Sequence, residues 1–516
     1  MTTDTGRRNL IKLLGAGALG LGVGGVHAQA KPGAGKAPAK AREGAPNIIF
    51  IMTDDQSQHA LGIYGNKILK TPNMDRIGNE GIRFDKSFVT TSVCAPSRAS
   101  YLTGLYAHSH GVTSNGEEPG WYEQMGLRPD QITYPMLLRQ AGYHTAVVGK
   151  WHIKSLPRGF DHWAILRGQG SYFDPQFIVN DAPVRFRGHT DDVIGDQAMA
   201  YLRRRPKDQP FCLCYQFKAP HGPWEPDPRF YDAFKNVEIP LPPGFGEPRP
   251  DDAPVAFSKT TQEIANMGDF FHKAERRPPL VDKDLPEEQR LHEVFQAFVR
   301  NYYRVLLGVD ENVGRVLDYL DKEGLADNTI VVYTSDNGFF LGEHGFYDKR
   351  MMLEPSIRVP MLLRWPKRIK AGQVDDKDMV LNIDVAPTLL DLAGVTPPDW
   401  MQGRSWKPLL EGKDVDWRED FLYEWFEYPA VHCARKHRGV RTDRWKLIHF
   451  WEMPDEWALY DLQEDPDEMD NLIDDPAHAE LVARLKTRIT QLRAETGDVD
   501  PPGYVPPKLE TGKCPA

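Results

Sequence analysis

The 516-residue sequence predicts an α/β protein. The expected architecture is a large central sheet, mixed or parallel and flanked by helices, with a smaller C-terminal subdomain of antiparallel sheet plus helix. Three observations predict it. Short β-rich runs alternate with helical patterns over most of the chain, the signature of a layered sheet. From about residue 416 onward the pattern changes to closely spaced strand-like runs. Hydrophobic residues are 41% and charged residues 26%, an ordinary balance that excludes a disordered or fibrous chain.

The elements follow in order. Arg7 and Arg8 precede a glycine-studded apolar run from Leu13 to Val26, which ends near Ala28-Gln29-Ala30. The run is too short and too glycine-rich to span a membrane, and the paired arginines read as a twin-arginine export signal over residues 1–30. The mature protein is therefore expected to be periplasmic or secreted, with the twin-arginine translocase as a partner and no membrane span. Residues 31–46 are Ala, Gly, Pro and Lys without periodicity, a flexible leader.

The main domain is expected over 47–415. Its buried strands are Asn47 to Thr53, Thr145 to Gly149, Phe211 to Phe217 and Thr329 to Thr334. Tyr303, Leu306, Leu307, Val313, Val316, Leu317 and Leu320 fall at helical spacing and predict an amphipathic crossover helix before the last of these. The subdomain, 416–500, carries strands at Phe421 to Phe426, Trp445 to Phe450 and Ala458 to Tyr460. It closes with a helix from Pro476 to Thr496 whose apolar face is Leu481, Val482, Leu485, Ile489 and Leu492. The proline-rich tail, 501–516, reads as extended.

The formal net charge of −10 argues against a nucleic-acid partner, which a basic surplus would attract. The five cysteines, Cys94, Cys212, Cys214, Cys433 and Cys514, are odd in number and scattered, so no disulfide framework is expected. Cys212-Leu213-Cys214 has one intervening residue where a zinc pair usually has at least two.

Each predicted strand of the main domain stops at a polar cluster. The first ends in Asp54-Asp55 and the second in Lys150-Trp151-His152. The third leads to Lys218-Ala219-Pro220-His221 and the fourth to Asp336-Asn337-Gly338. Ligands of open α/β sheets bind beyond the carboxyl ends of strands. One such cluster alone is usually a turn or a structural histidine; the same feature at each strand end predicts a shared site. Asp54, Asp55, Asp336 and Asn337 offer only oxygen ligands, which suits a hard cation, Ca²⁺ ahead of Mg²⁺ and not Zn²⁺. With Lys150 and Lys349 nearby, the cation makes a positive pocket for a small anion.

Cys94-Ala95-Pro96-Ser97-Arg98 and Thr103-Gly104 supply a nucleophile. Pro96 suits a first helical turn and Gly104 a helix end, which places Cys94 at a helix N-terminus. A plain cysteine there is expected to be an activated thiolate, a poor chemical match for Ca²⁺.

These residues resemble the signature of type I sulfatases of the alkaline phosphatase superfamily, whose cysteine becomes formylglycine. The resemblance runs over nearly the whole mature chain. It includes Asp54-Asp55-Gln56, Gly149 to His152, Pro220-His221, Thr334 to Gly338, Leu341 to Arg350, and the late Leu459 to Leu462, Asp465 to Glu468 and Asn471-Leu472. Tyr101 departs from a common leucine and leaves the modification motif intact. The resemblance implies an alkaline-phosphatase-like fold, a sulfuric ester hydrolase and a formylglycine-generating enzyme as partner. It further implies a metal held by Asp54, Asp55, modified Cys94, Asp336 and Asn337. One hydroxyl of the hydrated aldehyde attacks sulfur, His221 with Lys349 protonates the leaving alcohol, and His152 deprotonates the second hydroxyl so that sulfate leaves. Lys150 and Lys349 clamp the sulfate, and Arg98 holds the modified residue.

Two alternatives are weighed against this reading. One is a phosphodiester or phosphonate monoester hydrolase of the same superfamily, which pocket charge alone does not exclude. The other is an unmodified, non-catalytic sulfoglycan-binding protein. The stretch Leu341 to Arg350 resembles glycan-acting sulfatases, including those similar to N-acetylglucosamine-6-sulfatases, so a small sulfated saccharide is the expected substrate. His344 and the basic run Arg435, Lys436, His437, Arg438 and Arg441 are the candidate sugar contacts. The run is read either as a loop over the pocket or as a solvated hairpin face.

Overall fold

The computed structural model describes residues 40–116, 126–247, 284–428 and 431–500, with short stretches between 253 and 282 and at 504, 505 and 508. The export signal, most of the leader and most of the tail, including Cys514, lie outside the described residues.

The strands of the main sheet are β1 (Asn47–Thr53), β2 (Ile82–Phe84), β3 (His144–Gly149), β4 (His162–Leu166), β5 (Gln176–Val179), β6 (Ala182–Arg185), β7 (Phe211–Gln216), β8 (Thr329–Ser335), β9 (Met361–Arg364) and β10 (Gln373–Asp375). They form one ten-stranded sheet in the order β10-β2-β9-β8-β1-β7-β3-β4-β5-β6. Its centre is parallel: β1 pairs with β7 and β8, and β3 with β7 and β4. The antiparallel pairs β8–β9, β9–β2, β4–β5 and β5–β6 lie outside that centre, so the sheet is mixed.

Every residue of β1, β7 and β8 is buried, which is why these segments read as continuous apolar runs and not as alternating ones. Alternate side chains serve opposite faces. Ile49 and Ile51 of β1 join a cluster with Val309, Val313 and Leu317, which belong to α2 (Glu287–Lys322). Ile48, Phe50 and Met52 turn to the other face and meet Ala95, Ala99 and Leu102 of α1 (Cys94–Thr103).

A four-stranded antiparallel sheet follows: β11 (Asp420–Trp425), β12 (His437–Thr442), β13 (Trp445–Phe450) and β14 (Glu456–Asp461), in that order. The helix α3 (Ala479–Thr496), entered through a short 3-10 turn at Pro476–His478, buries Leu485, Ile489 and Leu492, with Leu481 and Val482 partly buried beside them.

One expectation is corrected here. The basic run is neither a loop over the pocket nor a solvated hairpin face: His437 to Thr442 is the inner strand β12, flanked by β11 and β13. Its charges are absorbed by partners from other segments of the protein. Arg435 donates to Glu456 at 2.9 Å and to the carbonyls of Glu452 and Pro454, each at 2.7 Å. Arg438 stacks over Trp451 and faces Asp498 at 3.5 Å, and Arg441 pairs with Glu354 at 3.3 Å.

Candidate active site

The strands β8, β1, β7 and β3 are neighbours and run parallel, so their carboxyl ends open on one edge of the sheet. Asp54 and Asp55 follow β1, Lys150 to His152 follow β3, the His221 loop follows β7, and Asp336 and Asn337 follow β8. Carboxylate oxygens of Asp54, Asp55 and Asp336 lie within 4.8 Å of one another, and so do the ligand atoms of Asp54, Cys94 and His221. The strand-end clusters therefore do form one site.

Cys94 is the first residue of α1, fully buried. Gly104 closes the helix in the left-handed conformation, φ 70°, which a glycine adopts without steric cost. Arg98, one turn into the helix, donates through Nε to Asp336 at 2.8 Å and through Nη1 to the Lys150 carbonyl at 2.6 Å. It thereby ties α1 to the ends of β8 and β3. Tyr101 donates to the Ser335 carbonyl at 2.9 Å, a bond that a leucine in its place could not make.

The ammonium of Lys150 pairs with Asp54, donates to Gln169 Oε1 at 2.6 Å and lies 3.9 Å from Cys94 Sγ. The ammonium of Lys349 donates to both carboxylate oxygens of Asp55 at 2.6 Å. Asn337 Nδ2 donates to Asp55 at 2.8 Å. Asp54 Oδ1 and Asn337 Oδ1 are buried acceptors with no hydrogen-bond donor. Orphaned oxygens beside crowded carboxylates are the donor set that a hard cation satisfies, and the residues present fit one.

The electrostatics follow from burial. It pushes the Asp336 carboxyl up to about 7, the Asp54 charge adding to it and Arg98 opposing. Burial raises Asp55 as well, against Lys349. At Asp54 burial again pushes upward, yet Lys150, His221 and Arg98 together hold the carboxyl well below its ordinary value. Cys94 departs from expectation. Its helix position favours a thiolate, but burial and then the Asp54 charge push the thiol well above its usual range. Desolvation outweighs the helix terminus.

His221 Nδ1 donates to the Gly222 carbonyl at 2.6 Å; a carbonyl can only accept, so this nitrogen carries the hydrogen. Nε2 is left facing the cluster, 3.7 Å from Asp55. His152 adopts φ 57°, and burial, then Lys150, hold its imidazole well below its ordinary value and so neutral. Asp55, at φ 70°, shares this left-handed backbone, which aspartate and histidine tolerate better than most non-glycine residues.

The remaining expected contacts have partners within the protein. His344 stacks on Phe346 and its N–H donates to the Pro243 carbonyl at 3.3 Å. Both ring nitrogens of His437 are engaged, with the Arg435 carbonyl at 2.7 Å and the Met352 N–H at 3.1 Å.

The structure also brings in residues that motif reading left without a role. Asp348, beside Lys349, pairs with His432 at 2.9 Å. Arg350 donates to Glu427 at 3.1 Å and lies 3.5 Å from Asp348. Asn115 Oδ1 accepts from the Ala95 N–H at 3.0 Å, capping a free donor in the first turn of α1. Asp348 and Arg350 could have been suspected from flanking Lys349; nothing local marks Asn115, Gln169 or His432.

Known proteins share this fold. A family model described as Sulfatase matches residues 46–395, and one described as N-sulphoglucosamine sulphohydrolase, C-terminal, matches residues 342–495. The chain belongs to the sulfatase family and is a sulfuric ester hydrolase. It is similar to the N-acetylglucosamine-6-O-sulfatase of Bacteroides thetaiotaomicron, 41% identical over 505 residues that span 90% of this chain and 89% of that protein. The arylsulfatase of Clostridium perfringens is 27% identical over 486 residues, 86% of this chain and 93% of that protein. A solved structure of a protein in complex with its substrate D-glucosamine-2-N,6-O-disulfate superposes with a TM-score of 0.82 at 39% identity, over 89% of this chain and 100% of that one.

Proposed function

We propose that this chain removes sulfate from a sulfated glucosamine-type sugar, working from a formylglycine made at Cys94 beside a bound divalent cation. The observation that carries the reading is the convergence of Asp54, Asp55 and Asp336 with Cys94, Lys150, Lys349 and His221 at one sheet edge. Asp54, Asp55, Asp336, Asn337 and the modified residue would hold the cation, Ca²⁺ in preference to Mg²⁺ because the donors are many and all oxygen. When present, the cation withdraws charge from the sulfate oxygens, and the hydrated aldehyde supplies an attacking hydroxyl with a second one that allows release.

The chain's own residues do the rest. Lys150 and Lys349 clamp the sulfate electrostatically. His221, its Nδ1–H committed to Gly222, is held neutral by burial and then by Lys150. Its Nε2 therefore first takes a proton, the Lys349 ammonium being the nearby donor, and then passes it to the leaving alcohol. His152, held neutral, accepts the proton that accompanies sulfate release. Arg98 keeps α1 in register with the strand ends. Asp348, Arg350 and His432, beside Lys349, supply carboxylate, guanidinium and imidazole groups to sugar hydroxyls. Their adjacency to Lys349 through Asp348 favours them in that role over His344, Arg435, His437 and Arg438, although both sets also have partners within the protein.

Residues 1–30 support export through the twin-arginine translocase to the periplasm or beyond. The disulfide at Cys433 suits an oxidising compartment, and among the described residues no helix is long and apolar enough to cross a membrane. Such a precursor folds before export, so a formylglycine-generating enzyme must reach Cys94 in the cytoplasm, before α1 is buried.

Intact-mass analysis of active protein tests the reading. Cys94 should show the loss expected for exchanging –SH and one hydrogen for an aldehyde oxygen, and Cys94→Ala should bind sulfate esters without turnover. Full turnover by protein retaining the thiol overturns it. Faster cleavage of a phosphonate or phosphate ester than of any sulfate would favour the phosphorus-ester alternative.

A further inference from the structure

The peptide carrying His221 is fixed carbonyl by carbonyl. The Ala219 carbonyl accepts from the Asp54 N–H at 3.2 Å. Pro220 accepts from Trp224 Nε1 and Gly222 from His221 Nδ1, both at 2.6 Å. The carbonyl of His221 itself accepts from the hydroxyl of Tyr172 at 2.7 Å. That last bond is the one side-chain donor in the set that reaches in from another part of the chain, the connection between β4 and β5.

Tyr172 is fully buried and itself held. Its carbonyl accepts from the Thr190 N–H at 2.8 Å, the neighbouring Ser171 carbonyl accepts from the Thr190 hydroxyl, and its ring lies under the Lys218 ammonium at 4.9 Å. The same connection supplies Gln169, whose Oε1 accepts from Lys150 at 2.6 Å. One short segment outside every recognised motif therefore contacts both the sulfate clamp and the peptide of the proton donor.

We propose that Tyr172 is a positioning residue for His221. Its hydroxyl sets the height of the imidazole above the sheet edge, so that Nε2 reaches the leaving-group oxygen. The proposal rests on His221 acting as the general acid. Small displacements of an acid cost rate steeply, and they cost most when the leaving alcohol needs its proton most.

The test compares Tyr172→Phe with wild type on glucosamine 6-sulfate and on 4-nitrophenyl sulfate. The phenyl ring keeps its packing against Lys218, so only the hydroxyl is lost. We expect kcat to fall about tenfold on the sugar sulfate and less than about twofold on the aryl sulfate, with KM for both little changed. In a His221→Ala background, Tyr172→Phe should cause no further loss, because the group it positions is gone. Equal losses on both substrates, or a full additional loss in that background, overturn the proposal. His221→Ala alone tests the underlying reading: without a leaving-group dependence of its own, the acid assignment fails, and the double variant still judges the tether. Should the Phe variant not fold, Thr190→Val loosens the same segment from outside and should give the same split in smaller measure; equal losses there count against the proposal.

Discussion

Asp191, fully buried beside the His221 loop and 3.7 Å from His189, has a carboxyl that burial pushes up to about 6. Its folded pKa lies above the unfolded value near 3.8, so the folded state binds the proton more tightly. The stability linked to that proton is fully present below the unfolded pKa and is lost as pH rises through about 6. Asp191→Asn should therefore match wild type near pH 3.5 and gain on it at pH 7.5, by up to about 3 kcal/mol. Melting temperatures at the two pH values check this, and a difference that does not grow with pH contradicts it. At the reaction centre, His221→Ala should lower the rate on a sugar sulfate at least tenfold more than on an aryl sulfate, about 10²-fold against 10-fold or less. Equal losses would move His221 from proton donor to sulfate ligand, leaving Lys349 as the acid to test.

Among the elements, α1 depends on a cap that comes from outside it. Val93, the N-cap residue, has no side chain able to accept, and Asn115 takes the Ala95 N–H instead. Asn115→Ala should cost about 1–2 kcal/mol in chemical denaturation. It should also lower kcat, since the cap fixes the turn that begins with Cys94; a drop in stability with unchanged kcat would confine Asn115 to folding. The helix α3 tests the apolar face read from periodicity. Ile489, buried against the small sheet, should cost about 2–4 kcal/mol as Ala, whereas the exposed Thr490→Ala should lie within about 0.5 kcal/mol of wild type. The basic run shows where element-level reading fails. A strand carrying Arg438 and Arg441 violates the apolar pattern expected of a buried strand, and it is tolerable only because Asp498 and Glu354 stand opposite those charges.

For the whole molecule, a cation held by Asp54, Asp55, Asp336 and Asn337 would staple the ends of β1 and β8, so its removal should be felt globally. Chelation should abolish turnover and lower the melting temperature, with Ca²⁺ restoring both more effectively than Zn²⁺. At a free concentration one hundred times Kd, binding is worth about 2.7 kcal/mol. Asp54→Ala should remove activity and make the melting temperature insensitive to chelator. A chelated preparation that keeps full activity would reduce the carboxylate cluster to a set of turns.

The central strands, the crossover helix, the apolar face of α3 and the groups standing at each strand end were legible in the sequence. Those features are local: apolar runs, helical spacing and the residues that stop them lie close together along the chain. The motif around Cys94 was legible for the same reason, since five consecutive residues carry it. Only the tertiary structure decided that β8, β1, β7 and β3 are parallel neighbours, which is what turns four separate strand ends into one site. It also decided the fate of charges. Whether Arg438 is solvated, and whether Cys94 is a thiol or a thiolate, depends on burial and on partners tens of residues away or more, because desolvation and Coulomb energies are set by distance in space and not along the chain. Asn115, Gln169 and Tyr172 stayed invisible on the same ground: each acts through a single hydrogen bond to a remote backbone or ammonium group, and no periodicity or spacing records such a bond.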